Sequence, residues 1–372
     1  MKQLITLIAA AAVCVSCSVG GRSSSATDVP DTIAVASPDT AAAVEPNTTF
    51  AFTGDIMMGT TFPDSVHGTG LPADGGKHIF DDVRDIIASA DFAAANLEGS
   101  FLTGPGKRRR MTNPRTYFIF RMPPSYVGNL LDAGYDFVGI ANNHINDFGE
   151  PGRQSTCATL DSAGLAHAGL KGKCEYAIVE RGGKRVGFTQ FGHGDNNLDV
   201  TDLDELRRVV GELRPKCDLV VVSFHGGAEG SAHTHVTGCP ETYVGENRGN
   251  VRDFARAAID AGADIVFGHG PHVVRAAELY RDHIIFYSLG NICTPYRMGI
   301  AGLTGQAPVA TVEVDADGKF VSGRIYSFIQ KRGLGPRRDT THQAARQIAT
   351  LSRSDFPESL LVIAPDGSLS RR

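Results

Sequence analysis

Six short segments concentrate the residue types that ligate cations or move protons. They are Gly54-Asp55, Asn96-Leu97-Glu98, Asn142-Asn143-His144 with Asn146-Asp147, His225-Gly226-Gly227-Ala228-Glu229, His269-Gly270-Pro271-His272 and Ser288-Leu289-Gly290-Asn291. Carboxylate and amide oxygens suit hard or borderline cations, and imidazoles suit zinc, iron and manganese. His144 can bind a metal or protonate a leaving group, and Asp147 can orient its ring. Asn96 and Glu98 stand two apart and share one face of an extended chain. The two histidines at 269 and 272 lie on a Gly/Pro-rich turn, close enough to serve neighbouring ions or one ion and a substrate.

Each segment directly follows an apolar run that reads as a strand. These runs are 50–53, 92–97, 137–140, 219–224, 265–267 and 284–287. Helical spacing of apolar residues predicts helices over 80–90, 124–133, 151–163, 204–213, 251–261 and 340–352, and strands over 177–180 and 185–190. Residues 309–314 and 320–328 predict a late antiparallel hairpin around Asp317-Gly318. Alternating strands and helices imply an α/β fold with helices outside. In such sheets ligands bind at the carboxyl ends of strands, so the six segments are expected to converge on one polar cleft.

The 372 residues are 42% hydrophobic and 21% charged, which fits a folded body rather than a disordered chain. A net charge of −5 argues against a nucleic-acid partner. Lys2 followed by a short apolar stretch over 4–15 reads as an export signal. The stretch ends in Cys14-Val15-Ser16-Cys17 and resembles a bacterial lipoprotein cleavage box. That resemblance implies lipidation of Cys17 and a membrane-anchored protein of the cell envelope; plain secretion is the alternative. Residues 18–48, rich in Ser, Ala, Thr and Pro, are expected to form a tether. Residues 49–330 are expected to form the main domain and 331–372 a helical extension. Cys157, Cys174, Cys217, Cys239 and Cys293 follow the signal in no zinc-finger spacing, and spacing alone assigns no disulfide. The basic run Lys107-Arg108-Arg109-Arg110 suits an anionic substrate or a solvated loop.

In order along the chain, the six segments resemble the CapA (poly-γ-glutamate capsule biosynthesis) family, itself similar to calcineurin-like metallophosphoesterases. The resemblance implies a four-layer αββα sandwich of two mixed β-sheets, the calcineurin-like metallophosphatase fold. It implies one or two divalent ions (Mn, Fe or Zn) held by Asp55, Glu98, Asn143, His225, His269 and His272, with His144 assisting the leaving group. Asn96, Asn142, Glu229, Asn291, Arg109 and Arg110 are expected to contact substrate. Two departures stand out. Met57 occupies the histidine position of the phosphoesterase Asp-x-His motif, and Glu98 replaces the bridging aspartate. The half around Asn143, His225 and His269 is therefore expected to be the more complete. The expected activity is metal-dependent hydrolysis of a phosphoester or of an anionic polymer. The alternative is a non-catalytic anchoring or assembly factor working with the capsule-synthesis machinery.

Overall fold

A computed structural model of the chain describes residues 46–64, 68–109, 118–296 and 298–372. The expected signal, Cys17, nearly all of the tether and Arg110 lie outside the described residues.

The long strand Thr48–Ile56 organises a nine-stranded mixed sheet. On one side it pairs in parallel with Phe92–Leu97, followed by Phe137–Gly139 and Ala166–Ala168. On the other it pairs antiparallel with Val309–Val314, which continues to Phe320–Tyr326. A six-stranded sheet runs in the order Ala277–Tyr280, His283–Phe286, Ile265–His269, Leu219–His225, Lys184–Gly192 and Tyr176–Arg181. Its four central strands are parallel.

Side-chain alternation explains why two sheets stack. Phe50, Phe52, Phe92, Ala94 and Phe137 point from the first sheet into a core shared with Phe188, Leu219, Val221, Ile265 and Phe267 of the second. The opposite faces are also apolar and take helices. Ala51, Ala93 and Val138 meet α1 (Asp81–Ala88), α2 (Val127–Ala133) and α3 (Gly149–Ala163). Val220, Val222, Phe224 and Val266 meet α4 (Leu203–Leu213) and α5 (Val251–Asp260). Because Leu219–His225 is covered on both faces, its sequence reads as an unbroken apolar run. Asp202 and Asn250 cap α4 and α5 by accepting hydrogen bonds from first-turn N–H groups. The result is a four-layer α/β/β/α sandwich, the architecture the resemblance implies.

Two boundaries differ from the sequence reading. Thr48, expected in the tether, already pairs with Val314. The C-terminal segment is not helical alone. After α6 (Gln343–Asp355), strands Leu361–Ile363 and Ser368–Arg371 extend the nine-stranded sheet beyond Phe320–Tyr326. These strands are short and half-exposed, so they lack the long apolar run that marks the buried ones.

Candidate metal centre

The carboxyl ends of the parallel strands from both sheets meet at one buried polar cluster. Asp55 pairs with Asn96 on one side and Asn291 on the other, so register alone aligns these three side chains. His225 and His269 are paired partners at the ends of neighbouring strands in the second sheet. The crossing requires close backbone approach. A Cβ at Gly54 would stand 2.1 Å from the Gly290 carbonyl oxygen, and one at Gly270, at φ +115°, 2.6 Å from that of Gly226. His272 itself adopts φ +56°, a conformation uncommon for a non-glycine residue and concentrated at functional sites. That turn brings its Nδ1 to 3.0 Å from Asp55 Oδ2 and 2.9 Å from Asn291 Oδ1.

Glu98 Oε1 is the focus of the cluster. It lies 3.6 Å from His272 Nε2, 3.8 Å from His144 Nε2 and 4.0 Å from His225 Nε2. These gaps are too long for hydrogen bonds, whereas two metal–ligand bonds of about 2.0–2.2 Å span them at an open angle. Both Glu98 oxygens, Asn143 Oδ1, His225 Nε2 and both His269 nitrogens are buried without a hydrogen-bond partner. Buried polar atoms are rarely left so. This donor set fits a divalent cation, and Asp55, Glu98 and His272 bring ligand atoms within 4.8 Å of one another. His269 Nδ1 stands 3.5 Å from Asp55 Oδ1 and joins the same group.

The electrostatics agree with the donor chemistry. Burial, reinforced by His193, His272 and His269, holds His225 well below its ordinary pKa. Burial likewise lowers His269 to about 4, although Asp55 opposes it. Both rings are therefore neutral near pH 7, with a lone pair to offer. Burial raises Glu98 to about 7, against the attraction of His272. Burial would lower His272, but the attraction of Glu98 and the hydrogen bond that His272 donates to Asp55 outweigh burial and raise it to about 10.

The half expected to be weak is assembled as well. Asp55, Glu98 and His272 converge although Met57, fully buried, replaces the imidazole two residues after Asp55. Asn143 keeps its side-chain oxygen unpartnered while its backbone carbonyl accepts from Arg109 Nη1 at 3.3 Å.

Several residues expected to touch substrate hold the site together instead. Asn96 donates to Asp55 Oδ1 at 2.8 Å, accepts from Asn142 at 3.0 Å and from Gln190 at 2.8 Å, and stands 3.2 Å from His225 Nδ1. Its oxygen has no further capacity. Asn142 also donates to the Leu97 carbonyl and accepts from the His144 N–H. Asn291 accepts from His272, and its Nδ2 has no partner. Glu229 lies 3.9 Å from His272 Nε2 and pairs with Arg248 at 2.9 Å, at the rim of the cluster.

His144 Nδ1 lies 2.8 Å from Asp147 Oδ2, and Arg109 Nη2 lies 3.2 Å from Asp147 Oδ1. The Phe120 N–H also donates to Asp147, and the Phe120 ring packs 4.4 Å from the imidazole. A cleft of about 700 Å³ opens beside this relay, lined by Lys107, Arg108, Arg109, Asn143, Arg153 and His193 among others. Gln190 and His193 are missing from the sequence-based set. His193 is buried, with its ring 5.6 Å from that of His225. The signal is the one that marks the other segments, a Gly-His pair closing an apolar strand at Phe191-Gly192-His193.

Layers and site together define an α/β/β/α protein with a histidine–carboxylate centre at its strand ends. Residues 49–296 match the family profile described as "Bacterial capsule synthesis protein PGA_cap", and the chain belongs to that family. It is 28% identical over 262 residues to "Capsule biosynthesis protein CapA" of Bacillus anthracis, over 65% of this chain and 59% of that protein. It is 29% identical over 266 residues to "PGA biosynthesis protein CapA" of Bacillus subtilis (strain 168), over 65% and 62% of the two. The matches thus span about six-tenths of these relatives' length. Among solved structures, the calcineurin-like phosphoesterase YfkN from Bacillus subtilis superposes with a TM-score of 0.45 at 11% identity, over 84% of this chain and 98% of that one.

Proposed function

We propose that the protein is a metal-dependent hydrolase of capsule polymer biosynthesis, acting on an anionic polymer or a phosphoester. One observation carries the reading: Glu98 Oε1, buried and without a hydrogen-bond partner, faces three imidazole Nε2 atoms across cation-sized gaps. Asp55, Glu98, Asn143, His225, His269 and His272 would hold the metal. A divalent cation bound there supplies Lewis acidity to a substrate oxygen and makes water acidic enough to attack near neutral pH. His144, steered by Asp147, delivers a proton to the leaving group. Arg109 balances Asp147 and, with Lys107 and Arg108, gives the cleft a cationic wall for an anionic substrate.

Purified protein should hydrolyse bis(p-nitrophenyl) phosphate or shorten poly-γ-glutamate only when loaded with Mn, Fe or Zn. A folded, metal-loaded protein inert toward both would sink the reading. Met57 at the position of a ligand histidine favours a second reading, a non-catalytic assembly factor of the capsule-synthesis machinery. On that reading His144→Ala leaves polymer production in cells intact. Anchoring through a lipid on Cys17 belongs to both readings. Among the described residues no helix is long and apolar enough to cross a membrane. Metabolic labelling with a fatty acid, lost in Cys17→Ala, tests the anchor.

A further inference from the structure

The fold gathers a second set of donors that the sequence leaves scattered. Cys157 sits on the buried face of α3, His167 on the Ala166–Ala168 strand and Cys174 in the turn that follows. Their ligand atoms lie within 4.8 Å of one another. We infer that Cys157, His167 and Cys174 form a second metal site, taking a thiolate-preferring divalent cation of the zinc type.

Three features support this. The donor set is two sulfurs and one nitrogen, the mix that selects zinc over harder cations. Zinc bonds of about 2.3 Å to sulfur and 2.0–2.1 Å to nitrogen place tetrahedral ligands about 3.4–3.8 Å apart, inside the observed limit. His167 Nδ1 lies 3.3 Å from the Leu165 carbonyl oxygen, which fixes the proton on Nδ1 and leaves the Nε2 lone pair for the ion. The turn carrying Cys174 is pinned before any ion arrives. Gly169 N–H and Leu170 N–H donate to the Cys174 carbonyl at 2.7 and 3.2 Å, and Cys174 N–H donates to Leu170 at 3.1 Å.

Asp161 lies one turn after Cys157 on α3, and its exposed carboxylate stands 3.9 Å from His167 Nε2, at the rim of the three. Two thiolates also neutralise a dication, so the buried part of the site carries no net charge. Loaded, the site ties α3 to the edge of the nine-stranded sheet, and α3 begins directly after the loop that carries Asn143, His144 and Asp147.

Cobalt(II) tests this on the full reduced chain, because the centre at Glu98 offers no thiolate. The site predicts thiolate-to-cobalt charge-transfer absorption in the near ultraviolet, bleached by zinc. The band is lost in Cys157→Ser and Cys174→Ser and kept in Glu98→Gln. In wild-type protein, zinc should also protect Cys157 and Cys174 from alkylation, which reads the site without any variant. Absence of the band and of protection in folded protein overturns the proposal, as does a Cys157–Cys174 disulfide in the protein as isolated.

Discussion

Glu98→Gln separates a metal ligand from a structural carboxylate. Without metal, the Glu98 carboxylate is fully buried with neither oxygen hydrogen-bonded, and burial raises its pKa to about 7. An amide of the same size removes that charge, while His272 keeps its Asp55 partner at 3.0 Å. Metal-free Glu98→Gln should therefore be at least as stable as the parent above neutral pH. With metal the order reverses. Changing partners that only orient a ligand costs roughly 10–100-fold in metal affinity, so losing a charged ligand should cost on the order of 100-fold or more. At free metal about 100 times the parent Kd, the parent gains about 2.7 kcal/mol and the variant roughly 0.4 kcal/mol. Unfolding entropy of about 2 cal/mol/K per residue, over the folded body from Glu45 to Arg372, makes each kcal/mol worth about 1.5 °C. The metal-dependent rise in Tm should thus shrink by about 3 °C in the variant. Differential scanning fluorimetry with and without Mn or Zn, alongside metal analysis, reads both arms. An equal fall in Tm with and without metal, or undiminished metal content, would refute the ligand role.

Asn96→Ala strips three buried hydrogen bonds, those with Asp55, Asn142 and Gln190. At about 1 kcal/mol per bond, metal-free protein should lose roughly 3 kcal/mol in denaturant melts, and a loss below about 1 kcal/mol would show that the amide is not the site's organiser. Gly54→Ala drives a Cβ into the Gly290 carbonyl, where only backbone can yield. It should cost on the order of 1–3 kcal/mol and lower metal content, and a variant with parental Tm and metal would contradict the close approach. Asp147→Asn should reduce kcat on the order of 100-fold with KM within about threefold, since Asp147 positions His144 rather than the substrate. Unchanged kcat would remove His144 from the proton path.

The large strands and most helices are legible in the sequence because burial on both faces makes Leu219–His225 or Phe92–Leu97 continuously apolar. The edge strands are not, since Leu361–Ile363 and Ser368–Arg371 are short and only partly buried. Convergence of Asp55, Glu98, His225, His269 and His272 follows from their place at strand ends. Their relative importance does not, because the aid given to Asp55 comes from register with Asn96 and Asn291 and from the φ of His272. No residue-by-residue motif contains those. Likewise Asn96 reads as a ligand or a substrate contact until its three partners, from three different segments, are known. The cysteine–histidine cluster has no sequence signal because a helix, a strand and a turn each supply one member.

Glu98 Oε1 is the hub of the proposed metal centre. Anomalous diffraction from crystals grown with Mn or Zn tests it most directly. An anomalous peak is expected about 2.0–2.3 Å from Glu98 Oε1 and from at least one facing imidazole nitrogen, of His225 or His272. A cation bound elsewhere, or a metal-saturated crystal in which Glu98 hydrogen-bonds directly to an imidazole with no ion between them, would contradict it.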